Sequence, residues 1–515
     1  MKNKKQDNYK KDKKQTPSFV LTLRLKTEVW QEHILEKRFE IARMMYNSFL
    51  KHLLKCDRKI RRDPRFKQAC SLNKDDEEEN QERKKLFNEL TSEYSYPNDQ
   101  IFHRFATPMI QHFSDNIDSG VGQKLATRAF NAYKKYKYGE AKKLNFKKYK
   151  MMDSIEGKSN NSELTKINKH TSLTFTKDRM IHWKGLSIPV IVKKNDEYAE
   201  MALLNKIKYV RLKRELVRGK IVWYTQLVIE GYPPSKVDKN TGLFKRRIGE
   251  GSVGIDIGTQ TVGYVSDNDC KLYELAPNID KNEKEMRRLQ RKLDRSRRAT
   301  NPNKYNENGT IKRGNRDRWI RSKNYIKTRN KYIELHRLIK VKRKQSHEMM
   351  ANEVISQGNI IKVEDMDFRA LQKRMKKTEV SEKTGKIKRK KRFGKSIGNK
   401  APSMLISIID RKLKYHGSKI IKIDTKMVKA SQYNHEFQTY KKKKLSERWN
   451  EINGEKIQRD LYSAFLIKNV KDDNKTIDNE LCKRDYEKFR IMHHREIERL
   501  RNLKSKSKLI SSMGL

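Results

Sequence analysis

Three acidic residues stand where a charge needs a reason. The run VGIDIGTQTVGYV, residues 253–265, sets Asp256 between two isoleucines, with Gly254 and Gly258 close by. A carboxylate in so apolar a strand-like run is costly unless a proton, a metal or a phosphate meets it. In IIKVEDMDF, Glu364 follows Ile361 and Val363 in the same alternation. In IQRDLYSAFLI, Asp460 opens a helix whose apolar positions are Leu461, Phe465 and Leu466, and spacing alone also fits a helix N-cap. Carboxylates that converge repel one another unless cations lie between them. Two hard divalent ions about 4 Å apart can clamp both the attacking water and the leaving oxygen of a phosphodiester. Hydrolysis of a phosphodiester is therefore the chemistry to expect if the three side chains meet.

Strand alternation puts Val253, Ile255 and Ile257 on one face and Asp256 on the other, with the glycines expected to leave open space above it for a ligand. Ile361 and Val363 take the core face of the next strand and Glu364 the opposite one. Between these strands lie two long basic helices, 283–299 and 316–357, with a narrow apolar stripe through Leu289, Leu293, Trp319, Ile326, Ile333 and Leu338. A helix at 402–417 and a strand at 418–424 follow, and strands alternating with helices argue an α/β sheet.

The preceding half reads differently. FVLTLRL alternates as a strand, and apolar spacing of three and four from Leu35 through Phe39, Ala42, Tyr46, Phe49 and Leu53 makes a long helix. Residues 171–232 are β-rich, with VRGK as a hairpin signal, so a small β-barrel or sheet that takes in the early strand is expected, with the helices as an insertion. The acidic tract NKDDEEENQERKK reads as a solvated loop or a helix end. RAFNAYKKYKYG and NFKKYK interleave aromatics with lysines; the rings either stack bases or belong to the core, and both readings stand.

The chain has 515 residues, with 122 Lys and Arg against 64 Asp and Glu, a formal charge of +58. Such a chain repels itself, and a polyanion, nucleic acid before a membrane surface, is the partner that would neutralise it. No segment has the length and apolarity of a spanning helix, and the basic start leads into a strand and not into a signal-peptide core. Cys56, Cys70, Cys270 and Cys482 form no CxxC pair, so neither a disulfide framework nor a cysteine zinc site is expected, and a reducing cytoplasm fits.

GIDIGTQT also looks like the first phosphate loop of the sugar-kinase and actin-like ATPases, which share an ancient ribonuclease H-like sheet. No second glycine-rich phosphate loop and no GG turn follows, and a small-molecule kinase has no use for +58. The order GIDIG, a basic helical hairpin, VED, YHGSKIIKID, SQ, then RD before an apolar helix resembles the RuvC-like nuclease half of the TnpB proteins. These are transposon-encoded RNA-guided DNA endonucleases related to the compact type V CRISPR effectors.

The resemblance implies an α+β multidomain chain: a basic tail, disordered, at 1–16; a β-barrel wedge domain at 17–28 and 160–235 with a helical recognition insertion at 29–159; a ribonuclease H-like α/β RuvC nuclease domain at 251–470; and a peripheral basic tail at 471–515. It makes Asp256, Glu364 and Asp460 the catalytic acids and ligands of two Mg2+ ions, with Mn2+ as a substitute. It implies a guide RNA and a double-stranded DNA target with a short adjacent motif as partners, and a nucleoid-associated place in a bacterial cytoplasm. Cleavage would leave a 5′ phosphate, and 377–400 would cover the site as a lid. An RNA-guided protein that binds DNA without cutting, and a CRISPR effector, are the alternatives. Two departures stand out. The insert at about 425–457 keeps Ser431 and Gln432 but has Asn434 where the first cysteine of a zinc ribbon belongs, so zinc is expected to be absent and the insert to be a short ordered loop or a mobile one. The usual D-x-N-A-A is Asp460, Leu461, Tyr462, Ser463, Ala464, without the asparagine.

Overall fold

The computed structural model describes residues 16–94, 99–160, 172–236, 238, 241, 247–277, 279, 282–314, 317–373, 378, 380, 385, 387, 393–444, 446–506 and 509–515. The expected tail at 1–16 therefore falls almost wholly outside the described residues, as does much of the expected lid at 377–400. The chain divides into two compact units, Met1–Pro234 and Ser235–Leu515.

The first unit runs β1 (Ser18–Leu25), α1 (Val29–Arg62), α2 (Pro64–Ser71), α3 (Glu77–Glu93), α4 (Asp99–His112), α5 (Ser119–Lys137), β2 (Ser154–Glu156), β3 (Thr174–Phe175), β4 (Met180–Trp183), β5 (Leu186–Ile191), α6 (Glu197–Leu203), β6 (Ile207–Val217) and β7 (Lys220–Glu230). Its strands form one sheet in the order β2-β6-β7-β1-β5-β4-β3, and every neighbouring pair is antiparallel. The sheet is a curled half-barrel with two edges, which falls within the β-barrel or sheet expected and takes in the early strand β1. Phe19, Leu21, Leu23 and Leu25 alternate inward on β1 and meet Leu35, Phe39, Ala42 and Phe49 of α1 in a single core. Arg38 of α1 donates to the carbonyls of Trp183 and Lys184, both at 2.7 Å, which fastens the inserted helices to the sheet. VRGK turns β6 into β7 with Arg218 and Gly219 at φ 50° and 84°, the left-handed pair of a tight hairpin. The acidic tract starts α3: the Asp76 side chain accepts from the Glu79 N–H, and Glu77, Glu78 and Glu79 occupy the first turn, where the helix dipole favours them.

The second unit holds β8 (Ser252–Ile257), β9 (Thr261–Val265), β10 (Cys270–Glu274), α7 (Glu283–Thr300), α8 (Lys323–Gln357), β11 (Ile360–Glu364), α9 (Phe368–Leu371), α10 (Gly394–Lys400), α11 (Pro402–Lys414), β12 (Ile421–Ile423), α12 (Thr425–Val428), β13 (Tyr433–Asn434), β14 (Thr439–Tyr440), β15 (Trp449–Ile452), β16 (Glu455–Gln458), α13 (Arg459–Lys468) and α14 (Asn479–Lys506). Its main sheet has the order β10-β9-β8-β11-β12, antiparallel across β10, β9 and β8 and parallel across β8, β11 and β12. Val253, Ile255, Ile257, Ile361 and Val363 bury one face against α8 and α11. On the other side α13 crosses β8 and β9, backed by α14.

Two expectations change here, and between the two readings of the insert the structure takes the ordered one. α8 begins at Lys323 and not near 316, because the Ser322 side chain accepts the Tyr325 N–H and caps it; Trp319 instead packs edge-on against Tyr305 in the connecting loop. The insert at 425–457 is ordered as two short hairpins, β13–β14 and β15–β16. Residues 471–515 are not a peripheral tail: α14 buries Cys482, Tyr486, Phe489, Met492, Ile497 and Leu500 in the same core as α13, with Phe489 stacked on Phe465 at 4.5 Å. Those apolar residues recur at three to five, a helical period, so the charges between them lie on the wet side of an amphipathic helix.

Candidate active site

Asp256 sits near the end of β8 and pairs across the antiparallel ladder with Gly263 of β9. Val363 of β11 pairs with Ile255, so Glu364, the next residue, lies level with Asp256 on the neighbouring parallel strand. Asp460 arrives from the helix side. A Cβ placed on Gly263 would lie 3.2 Å from the carbonyl oxygen of Asp460, so the first turn of α13 passes directly over the strand partner of Asp256.

The glycines have a different role from the open ligand space expected of them. A Cβ on Gly254 would collide with the carbonyl oxygen of Ala464 and the N–H of Lys468, so the bare backbone is what lets α13 lie on β8. Gly258 faces Thr261 in the turn to β9, not a cleft. Close helix-to-strand packing fills the space beside Gly254.

Asp460 is not the N-cap of α13. That position belongs to Gln458, whose side chain accepts from the Leu461 N–H at 2.9 Å. Asp460 lies in the first turn and is free to present its carboxylate sideways. Thr261 Oγ1 donates to Asp460 Oδ2 at 3.3 Å, while Arg448 and Arg459 each approach Oδ1 at 3.7 Å. Gln458 is in turn held from α14 and the C-terminus: its N–H donates to His493 Nε2 at 2.9 Å and its Nε2 to the Met513 carbonyl at 3.3 Å. Neither Arg448 nor this chain of supports was visible in the sequence motifs, although Thr261 sits in the quoted run GIDIGTQT.

Electrostatics join the three acids. Burial raises the carboxyl of Asp256 well above the usual range, and the charges of Asp460 and then Glu364 raise it further; Arg459 and Arg448 act weakly in the other direction. Burial pushes Glu364 up to about 7. Two carboxyls thus hold on to protons at the end of one sheet, beside a third carboxylate whose charge is shared with two arginines. Among the described residues no three His, Cys, Asp or Glu side chains are gathered tightly enough to hold a metal ion as they stand. The donor chemistry nonetheless suits a hard divalent cation, which takes oxygen ligands and would replace the protons and arginines as counter-charge.

In the insert at about 425–457, where zinc is expected to be absent, His435 is buried against α13 and α14. Its Nδ1 lies 2.7 Å from the Tyr462 hydroxyl, and its ring stands 4.8 Å from Tyr486 and 6.0 Å from Phe465. His435 is thus one ring of an aromatic cluster with Tyr462, Phe465 and Tyr486. Among the described residues no helix is long and apolar enough to cross a membrane.

No family model matches the chain, and no curated protein matches it. Among solved structures the chain is similar to that of a Cas12f1–sgRNA–target DNA complex, with 13% identity, a TM-score of 0.36, and 82% of this chain and 92% of that chain covered. It is similar also to a CRISPR–Cas12f ternary complex, with 13% identity, a TM-score of 0.25, and 85% and 82% covered.

Proposed function

We propose that this chain is an RNA-guided DNA endonuclease of the TnpB kind, with a RuvC-like site formed by Asp256, Glu364 and Asp460. The observation that carries the reading is the convergence of these acids, which are far apart in the chain, on one sheet: Glu364 lies level with Asp256 on the adjacent strand, and the backbone of Asp460 passes over Gly263, the strand partner of Asp256. A formal charge of +58 is what a protein that handles RNA and DNA together would need.

Asp256, Glu364 and Asp460 would hold magnesium, or manganese in its place. Bound there, the ions supply activation of water and stabilisation of the leaving oxygen in phosphodiester hydrolysis. The protein's own part is positional. β8 and β11 fix two carboxyls side by side, and the N-cap at Gln458 fixes the third. Thr261 orients one oxygen of Asp460. Arg448 and Arg459, relieved of Asp460 when a cation takes their place, would face the phosphates of an approaching DNA strand.

The test is to purify the chain with its RNA, sequence that RNA, and supply a matching DNA duplex with magnesium. Asp256→Asn, Glu364→Gln and Asp460→Asn should each abolish cleavage while RNA stays bound. Cutting at the wild-type rate by any one of them would remove that residue from the site. A wild-type protein that occupies matched DNA and never cuts it would favour guided binding without cleavage.

A further inference from the structure

The aromatic and lysine run around the end of α5 divides into two halves that face opposite ways. Phe130 and Tyr133 belong to the core: Phe130 stacks on Phe102 at 5.7 Å, and the Tyr133 hydroxyl donates to Asp57 Oδ1 at 3.0 Å. The rings that follow are outside. Tyr138, Phe146 and Tyr149 are 68%, 45% and 69% exposed.

The segment that carries them is pinned and not loose. The Lys147 N–H donates to Asn47 Oδ1 and the Lys147 carbonyl accepts from Asn47 Nδ2, both at 2.8 Å, so one side chain of α1 grips both backbone polar groups of Lys147. Arg43 donates to the same carbonyl at 3.2 Å, and the Lys150 N–H donates to Glu40 Oε1 at 2.8 Å. At the other end the Ala141 N–H donates to the Lys135 carbonyl at 2.8 Å. Leu144 packs inward on the core and Met152 is fully buried, whereas Lys142, Lys143 and Lys148 are exposed. The ammonium of Lys137 stands 5.9 Å from the Tyr138 ring centre, and that of Lys150 5.9 Å from the Tyr149 ring centre.

Large rings fixed in water gain nothing for the fold, since burial is what an aromatic side chain contributes to stability. Held by backbone bonds, they lose little freedom when something stacks on them. Ammonium groups beside ring faces match one chemistry in particular: a base on the ring and its phosphate on the lysine. A duplex keeps its base faces covered, so the partner must offer unpaired bases, as the loops and single-stranded stretches of a folded RNA do. We infer that the 138–149 surface binds a single-stranded segment of RNA by stacking its bases on Tyr138, Phe146 and Tyr149. The inference deepens the proposed function and rests on it only for the choice of RNA over DNA.

The experiment uses the full chain with divalent cations chelated, so that nothing is cut. The probes are a short unpaired RNA carrying a fluorescent adenine analogue, the same RNA as a blunt duplex, and DNA of the same sequence. Salt of about 0.5 M suppresses the phosphate contribution and leaves stacking to be read. Tyr149→Ala and Phe146→Ala should each weaken unpaired RNA at least about fivefold, and adding Tyr138→Ala should bring the loss to about a hundredfold. Quenching of the adenine analogue should fall in parallel, duplex affinity should stay the same, and Tyr149→Phe with Phe146→Tyr should restore binding. Affinity for unpaired RNA within twofold of wild type would overturn the proposal, as would equal losses for the duplex or a loss confined to DNA. A melting temperature equal to wild type shows that the alanine variants fold; if they do not, the ring-for-ring variants still test the surface, because loss of unpaired-RNA binding in them would rule out stacking as its basis. Asp256→Asn should bind the RNA as wild type does, so failure of the nuclease reading and failure of the stacking surface are separate results.

Discussion

The backbone N–H of Gln458 donates to His493 Nε2 at 2.9 Å, so the turn that presents Asp460 is hung from a histidine on the last long helix. An imidazole can accept that bond only when Nε2 carries no proton. Burial, with smaller contributions from the charges of His494 and Arg501, pushes His493 down to about 3.

The pH dependence of stability follows from that depression. An unfolded histidine takes up a proton below about 6.5, while His493 in the folded chain stays neutral until about 3. Its contribution is therefore complete above about 6.5 and is lost as pH falls, at a limiting slope of about 1.4 kcal/mol per pH unit. His493→Gln keeps an acceptor for Gln458 but has no proton to gain. Denaturant unfolding of the second unit should depend less on pH between about 7.5 and 5 in this variant than in wild type, by close to one proton. Parallel curves would show that His493 does not report on folding.

Gly254→Ala should be among the most damaging single-methyl changes in the chain. The added carbon meets backbone atoms of Ala464 and Lys468, which cannot swing aside as a side chain would. Moving α13 off β8 costs about 3 kcal/mol by analogy with overpacked cores, and Asp460 moves with the helix. The expected result is a drop in melting temperature together with loss of cleavage. A variant as stable as wild type would mean that the helix has slack over this strand.

The parts legible in the sequence were those with short periods. Alternation at Phe19, Leu21, Leu23 and Leu25, and at Ile255 and Val363, reports a buried strand face directly, and the helix spacing from Leu35 to Leu53 does the same for α1. Asp256 and Glu364 stand out in the sequence because each is a charge set among the apolar residues of such a strand. What stayed hidden depends on contacts distant in sequence. Nothing near Gly254 announces that Ala464 and Lys468 will lie on it, nothing near Gln458 points to His493, and Arg448 lies in an insert with no motif of its own. Residues 471–515 could have been read: Cys482, Tyr486, Phe489 and Leu500 follow a helical spacing, but the density of charge around them resembled a solvated tail.

Arg448 should compete with a cation for Asp460. It lies 3.7 Å from Oδ1, opposite the oxygen that Thr261 holds. Arg448→Ala removes a counter-charge worth about 1 kcal/mol at that separation in a wet site, so manganese should bind the nucleic-acid-free protein about fivefold more tightly. Calorimetric titration with manganese reads this directly. Unchanged or weaker affinity would separate Arg448 from the cation site. DNA affinity should move the opposite way, because the same guanidinium is then missing from the phosphate strand.

Asp256→Asn should trade activity for stability. Burial and the neighbouring charges of Asp460 and Glu364 raise the Asp256 carboxyl, and a group whose folded pKa is raised gives stability that is complete below its unfolded value, near 3.8, and is lost as pH rises. Asparagine keeps the shape and never ionises, so the metal-free variant should be more stable than wild type, with a gap that widens toward alkaline pH. Magnesium should close the gap by stabilising wild type alone, since the variant lacks one ligand charge. Glu364, pushed up to about 7, adds to the same trend, so the magnesium effect itself should grow as pH passes through neutrality. Thermal melts at several pH values, with magnesium or with a chelator, measure all of this together with guided DNA cleavage. An asparagine variant that is less stable at every pH, or one that magnesium stabilises as much as wild type, would mean that Asp256 is held by structure and not kept for a cation.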